Sequence, residues 1–131
     1  MIEVYTQNAE LNANQIIPLS SVSLKKGCTA TLDGNTINLH QNGVYAISVD
    51  AVLTSATVGL ASIQMNRNGV AVPQAISSGT IGTANDSVAL GFETLVRVSN
   101  CPCECETVAL TFENIGVAST VDINVVVTKV C

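Results

Sequence analysis

Charged side chains are scarce in this 131-residue sequence. They make up 11 % of it, against roughly 25 % in an ordinary soluble domain. Five residues are Lys or Arg and ten are Asp or Glu, which leaves a net charge of −5. That balance argues against electrostatic binding to nucleic acid or to an anionic membrane. So few charges cannot cover the surface of a small domain, and we therefore expect a homo-oligomer that hides apolar surface between copies.

The residues that build helical surfaces are also few, whereas β-branched residues are abundant. The sequence contains 18 Val, 10 Ile and 13 Thr, so 41 of its 131 residues are β-branched. This composition excludes a coiled coil or a helical bundle, and it excludes intrinsic disorder, which needs high charge and few such residues. The composition therefore predicts a single all-β domain.

Segments that would target or cross a membrane are missing from the pattern. Residues 1–15 have neither a basic region nor an apolar stretch, so we expect no signal peptide. No apolar run approaches the roughly 20 residues of a membrane span. We expect a protein that is made in the cytoplasm and does not insert into a membrane.

Short β-type runs alternate with turn signals from Ile16 onward. Asp33-Gly34 and Asn68-Gly69 are strong hairpin signals. The longest run, 44–56, alternates strictly between Tyr45, Ile47, Val49, Ala51 and Leu53 on one face and smaller or polar residues on the other. Eight or nine such strands at regular spacing predict an antiparallel two-sheet β-sandwich of the jelly-roll type.

The chain divides into two parts by this pattern. Residues 1–15 are polar and rich in Asn, and we interpret them as an N-terminal arm before a sandwich domain at 16–131. Pro18 favours an edge strand over 16–24. The Gly-, Ser- and Thr-rich segment 77–86 is predicted to be a loop.

The central block of the sequence resembles the complement C1q/tumour-necrosis-factor jelly-roll superfamily. It is most similar to the bacterial branch typified by the C-terminal domain of the Bacillus collagen-like exosporium glycoprotein, in which a Gly-aromatic strand leads through a small-residue loop to a second motif ending in Val-Pro. The resemblance covers residues 16–131, and the matching positions are Gly43, Tyr45, Ile47, Val49, Ala51, Ile63, Gln64, Asn68, Gly69, Val72, Pro73, Lys129 and Val130.

This resemblance implies a homotrimer in which three sandwiches meet along a three-fold axis. It places the strands at 44–56, 87–99 and 120–130 in the sheet nearest the axis, with their second faces at the interface. The interface candidates are Ala46, Ser48, Ala89, Gly91, Leu95, Asn124, Val126 and Thr128. The alternative is that these residues line an ordinary solvent face.

The family resemblance also suggests a setting. The spore-coat relatives carry a collagen-like stalk and usually lack clustered cysteines, whereas this sequence has no stalk and has such a cluster. Similar small proteins without a stalk are found among phage capsid-surface and head-fibre components. We therefore expect a non-enzymatic structural protein on a phage or prophage virion, whose partners are copies of itself and possible capsid proteins or a host-surface receptor. The alternative is a spore-surface or secreted module that binds a receptor or a glycan.

Five cysteines form the most unusual feature, because Cys101, Cys103 and Cys105 lie in the segment Cys-Pro-Cys-Glu-Cys. Disulfides are one interpretation, with Cys28 and Cys131 as further candidates, and the jelly-roll topology would bring Cys131 near the 101–105 segment. A metal site at Cys101, Cys103 and Cys105 and free thiols are the alternatives, since thiolates bind Zn²⁺ but usually in two paired motifs.

Residues for catalysis do not form a recognisable pattern. His40 is the only histidine, and nothing in the residues around it resembles a nucleophile with its base. The acidic residues are scattered singly, and the sequence has no Trp, two Phe and two Tyr, so platforms for stacking sugars are few. We expect no enzyme and no cofactor.

Overall fold

The computed structural model describes residues 1–12, 14–27, 30–98, 100, 101, 104, 105 and 108–130. Within these residues every regular element is a β-strand, which confirms the predicted all-β class. The strands are β1 (Ile2–Glu10), β2 (Gln15–Ile16), β3 (Ser21–Lys25), β4 (Ala30–Asp33), β5 (Thr36–Leu39), β6 (Gly43–Ser55), β7 (Gly59–Arg67), β8 (Val70–Ile81), β9 (Asp86–Val98), β10 (Asn100–Cys101), β11 (Glu104–Cys105), β12 (Val108–Asn114) and β13 (Thr120–Lys129).

The strands form two antiparallel sheets that enclose one core, as the sequence predicts. The first sheet has the order β3-β1-β13-β6-β9, and the second has the order β4-β5-β12-β7-β8 with the short β2 paired to β12. Strands β10 and β11 form a separate two-stranded ladder. The three runs predicted to share a sheet do so, because β6 pairs with β13 on one side and with β9 on the other.

The core is built from the alternating apolar positions of both sheets. In β6 the predicted inward set, Tyr45, Ile47, Val49, Ala51 and Leu53, is buried, while the residues between them are partly or fully exposed. The second sheet contributes Ile63, Met65 and Phe112, each fully buried. Side chains of a strand point alternately to its two faces, so this burial leaves the other side of the first sheet free of core contacts.

The hairpins predicted at Asn68-Gly69 and Asp33-Gly34 are confirmed, although Asp33 pairs with Thr36 and the two turn residues of the second hairpin are Gly34 and Asn35. Asn68 and Gly69 join β7 to β8 with φ angles of 51° and 83°. These values are those of the two-residue turn that matches strand twist, which Asn and Gly adopt most easily. The Asn68 carboxamide oxygen also accepts a hydrogen bond from the Ala109 backbone N–H at 2.8 Å, which fixes the turn against β12.

Residues 1–15 differ from the predicted arm. Strand β1 occupies Ile2–Glu10 and pairs with β13 on one side and β3 on the other. Ile2, Val4 and Thr6 are buried, so this segment carries the same period-two pattern as the other strands. The many polar residues after Thr6 and the register shift between Thr6 and Ala9 hide that pattern in the sequence.

Two other segments also depart from the prediction. The run 16–24 is split by Pro18 into β2 and β3, which belong to different sheets. The segment 77–86, predicted to be a loop, is strand up to Ile81. Gly79 is required there, because an added Cβ would lie 2.7 Å from Cγ2 of Val88 on the crossing strand β9.

Antiparallel pairing gives the sandwich two ends, which we name after the first and last residues of β6. At the Gly43 end, Val98 pairs with Gly43 and Lys129 pairs with Tyr45. At the Ser55 end, Asp86 pairs with Ser55, and Thr120 pairs with both Thr54 and Glu10.

We predict that Gly116→Ala destabilises the fold by about 2 kcal/mol, because added methyl groups in a tight site force the backbone apart. A Cβ on Gly116 would lie 2.4 Å from the carbonyl oxygen of Leu60 and 2.7 Å from the nitrogen of Ser62. Gly82→Ala is the matched control, since no atom lies within 4 Å of its added Cβ. Urea unfolding of both variants checks this, and equal midpoints would contradict it.

We also predict a pH-dependent contribution from Tyr45, whose hydroxyl donates a 2.8 Å hydrogen bond to the Gln41 carbonyl. Burial of this side chain raises its pKa above the ordinary value, and the hydrogen bond opposes that shift in part. Above about pH 10 the unfolded chain loses the phenol proton while the folded chain keeps it, so stability falls with rising pH.

Tyr45→Phe removes both the hydrogen bond and the titration. The wild type should be more stable than this variant by about 1 kcal/mol at pH 8, and the difference should shrink as the pH rises past about 10. Urea unfolding of the two proteins in parallel at pH 8 and pH 10.5 measures the difference. A difference that stays constant across this range would contradict the prediction.

Candidate functional site

The side of the first sheet that faces away from the core is the candidate site, and we call it the outer face. The register brings all eight predicted interface residues onto it. Ala46 lies opposite Thr128 and Leu95, and Ser48 lies opposite Val126 and Glu93. The remaining three candidates alternate with buried residues in their own strands; they are Ala89, Gly91 and Asn124.

The outer face is concave because many of its side chains are small. Two depressions cross it: one of about 440 Å³ is lined by Tyr5, Asp50, Val52, Ala89 and Asn124 among others. The second, of about 340 Å³, lies over Ala46, Ser48, Glu93 and Leu95. A Cβ on Gly91 would lie 2.8 Å from the Val49 carbonyl oxygen, so that position has no room for a side chain.

Exposed apolar side chains stand around these depressions. Leu95 is 63 % exposed, Val52 is 43 % exposed and Tyr5 is 37 % exposed. Apolar residues of this size that remain exposed to water beside small side chains are characteristic of surfaces that pack against another protein.

Four carboxylates lie on the same face, one on each of four neighbouring strands: Glu3 on β1, Asp122 on β13, Asp50 on β6 and Glu93 on β9. Two of them are fixed by hydrogen bonds. Asp122 accepts one from the Asn8 backbone N–H at 2.6 Å, and Glu3 accepts from the Ser23 hydroxyl and from the Asn124 carboxamide. The face therefore combines small side chains with four carboxylates, and it carries Arg97 at its Gly43 end.

The contribution of β1 to this face was missed by the sequence reasoning. Glu3 and Tyr5 pair with Val126 and Asn124 of β13 and so extend the outer face by one strand. Their alternation with Ile2, Val4 and Thr6 is the signal that could have revealed this strand.

The edge strand β8 is a second unusual surface. It is twelve residues long, carries no charged residue, and exposes Val70 by 69 % and Ile76 by 41 %. Within the described part of the chain its ladder partner is β7 on one side, while β9 crosses beside it and the Gly91 N–H donates to the Ser77 hydroxyl at 3.3 Å. Proteins usually protect exposed edges with charge, so this strand is suited to contact another chain.

The cysteine predictions fall largely outside the described residues. Cys28, Cys103 and Cys131 lie outside them, and for Cys101 and Cys105 the structure describes the backbone ladder between β10 and β11. Strands β13 and β9 do end at the Gly43 end, as the disulfide prediction requires, since Val130 N–H donates to the Val44 carbonyl and Val98 pairs with Gly43. The disulfide and metal alternatives therefore stay predictions.

The single histidine lies away from the outer face. His40 follows β5, is exposed, and shares a 2.7 Å hydrogen bond with the Thr31 hydroxyl on β4. Among the described residues no group of three His, Cys, Asp or Glu is arranged to hold a metal ion. None of these residues forms a helix long and apolar enough to cross a membrane.

Comparison with known proteins finds similar folds and no similar sequence. No protein-family model and no curated sequence matches the chain. The globular domain of zebrafish complement 1qA protein is similar to it with a TM-score of 0.72 and 7 % identity, over 99 % of this chain and 96 % of that one. The chain has the C1q/TNF-like jelly-roll fold.

Other jelly rolls match over similar lengths. PRD1 vertex protein P5 is similar with a TM-score of 0.64 and 13 % identity, over 99 % of this chain and 96 % of that one. Eiger TNF from S. frugiperda is similar with a TM-score of 0.61 and 10 % identity, over 100 % of this chain and 94 % of that one. These matches confirm the jelly-roll fold that the resemblance implies.

Proposed function

We propose that this jelly roll is a non-enzymatic structural module that assembles as a homotrimer through its outer face and is displayed on a phage virion, as a capsid-surface or head-fibre component. The observation that carries the proposal is the outer face itself. Five paired strands present small side chains and exposed Leu95, Val52 and Tyr5 to water, on a chain with few charges. Burying such a surface between copies removes apolar area from water.

The charges on the outer face favour a cyclic arrangement over a two-fold dimer. A face-to-face dimer would place Glu3, Asp50, Glu93 and Asp122 of one copy against the same four residues of another. Like charges brought together at an interface cost several kcal/mol. A head-to-tail interface, in which two different surfaces meet, avoids this pairing and closes into a ring when the rotation permits.

The edge strand β8 is the surface that fits as the second half of this interface. Its uncharged side chains and exposed Ile76 would place apolar groups, and no further carboxylate, over the depressions of the neighbouring outer face. The edge and the outer face lie on different sides of the sandwich, so each copy can offer both at once. Closure after three copies is the arrangement that the superfamily resemblance implies.

The virion setting is supported by the fold shared with a phage vertex protein, PRD1 P5. The likeness to complement 1qA and to Eiger TNF supports the alternative, a receptor- or glycan-binding module. The two functions are separated by mass spectrometry of purified particles: the chain should be present in virions at a stoichiometry of a multiple of three, and its absence from them would favour the alternative.

We predict that the wild type sediments at about three times the 13.5 kDa chain mass. Ala46→Glu should shift the protein to monomers at micromolar concentration, because the new carboxylate would be desolvated in the interface. Ala109→Glu is the matched control, since Ala109 is half-buried like Ala46 but lies on the second sheet in β12. Sedimentation equilibrium measures this, and a monomeric wild type or equal behaviour of the two variants would contradict it.

We further predict that Ile76→Glu also prevents assembly, and that a mixture with the Ala46→Glu variant restores one contact. The first variant keeps an intact outer face and the second keeps an intact edge, so together they should form a 1:1 dimer and no ring. Native mass spectrometry of a mixture with one isotopically labelled partner measures this. Full assembly of Ile76→Glu alone would show that β8 is not the second surface.

A further inference from the structure

All Lys and Arg residues of the chain lie at one end of the sandwich. The chain has five, and the register assigns each of them to the Gly43 end. Arg97 pairs with Val44 and Lys129 with Tyr45, while Lys25 pairs with Ile2 beside the end of β13. Lys26 N–H donates to the Met1 carbonyl, and Arg67 ends β7 opposite Leu110.

Most acidic residues lie away from the Gly43 end. Of the ten, Glu3 and Glu104 lie near the Gly43 end, and Glu106 is outside the described residues. The other seven lie along the sandwich or at the Ser55 end, where no Lys or Arg accompanies them; they are Glu10, Asp33, Asp50, Asp86, Glu93, Glu113 and Asp122. The fold therefore places all basic residues at the Gly43 end and most acidic residues away from that end.

The basic end is open and partly apolar. Lys25, Lys26 and Arg97 are exposed, and Val70 and Val130 at the same end are 69 % and 53 % exposed. Protein interfaces combine an apolar contact area with a polar rim, and charges at the rim add complementarity to a partner of opposite sign.

We propose that the Gly43 end is a docking surface for an acidic protein surface. A protein is favoured over a nucleic acid, because Val70 and Val130 offer exposed apolar contacts that a phosphate backbone does not use. The Ser55 end of a second copy also carries carboxylates, Asp86 and Glu10, beside the exposed Val58 and Leu60. End-to-end stacking of copies is therefore one of the outcomes that the test distinguishes.

The two lysines of this docking surface that the test changes, Lys25 and Lys26, lie where β3 ends, away from β8 and from the centre of the outer face. A single copy and a ring would therefore both present them, whereas Arg97 on the outer face and Val70 on β8 border the proposed trimer interface. In a ring the basic ends of all copies would point in one direction, which would orient the assembly on its partner and leave the Ser55 ends facing away.

The test uses the full chain and fluorescein-labelled poly-L-glutamate as the acidic probe, with binding followed by fluorescence anisotropy at 20 mM and 300 mM salt. The wild type should bind at low salt and release the probe at high salt. Lys25→Gln combined with Lys26→Gln should weaken binding about tenfold. The control, Thr83→Asp with Ala84→Asp, changes the net charge equally at exposed positions of the Ser55 end and should change binding less than twofold.

Three results would overturn the proposal. Equal weakening by both double variants would mean that net charge alone governs binding. Tighter binding of a DNA duplex than of poly-L-glutamate at equal salt would mean that the end prefers a polyanion of another class. Salt-sensitive growth of the protein's own sedimentation coefficient, abolished by the lysine variant, would mean that copies stack end to end.

Discussion

The strict alternation along β6, and its antiparallel pairing on both sides, is the constraint on which the rest of this structure depends. One set of side chains, from Tyr45 to Leu53, fills the core, so the other set is committed to the opposite side of the sheet. Because β13 and β9 pair with β6 over ten and more residues, their alternation is locked to the same register. A slip of one residue would expose the core set to water.

This locked register produces a face that has a different composition from the rest of the surface. Its small residues bring any partner close to the sheet, and its four carboxylates restrict which partner surface can approach. The uncharged edge strand β8 meets both conditions, since it adds apolar contact and no further negative charge. The proposed self-association would use a face that the period of two creates together with the core, because alternation leaves a second face without core contacts.

The position of the basic residues in the fold matters more for the surface of this protein than their number. Five basic residues in 131 are too few to give the chain a basic character, but the antiparallel strands gather them at one end. They are spread from position 25 to position 129, so the sequence shows no basic cluster other than Lys25-Lys26. A short-range positive surface on a negative chain selects neighbours by local complementarity rather than by the long-range field.

The sequence by itself determined the all-β class, the central strands and the hairpin turns, because these depend on contacts between near neighbours and on the backbone preferences of Asn-Gly and Asp-Gly. It also identified which face of β6 is turned outward, since alternation is a local property. The tertiary structure decided that Ile2–Glu10 is a strand of the outer face, that 77–81 is strand rather than loop, and that all basic residues share one end. The alternation of Ile2, Val4 and Thr6 marks a strand, but no local pattern records that its partner is β13, where Ile2 pairs with Val127. The common end of the basic residues likewise arises from pairing between segments that are far apart in the chain.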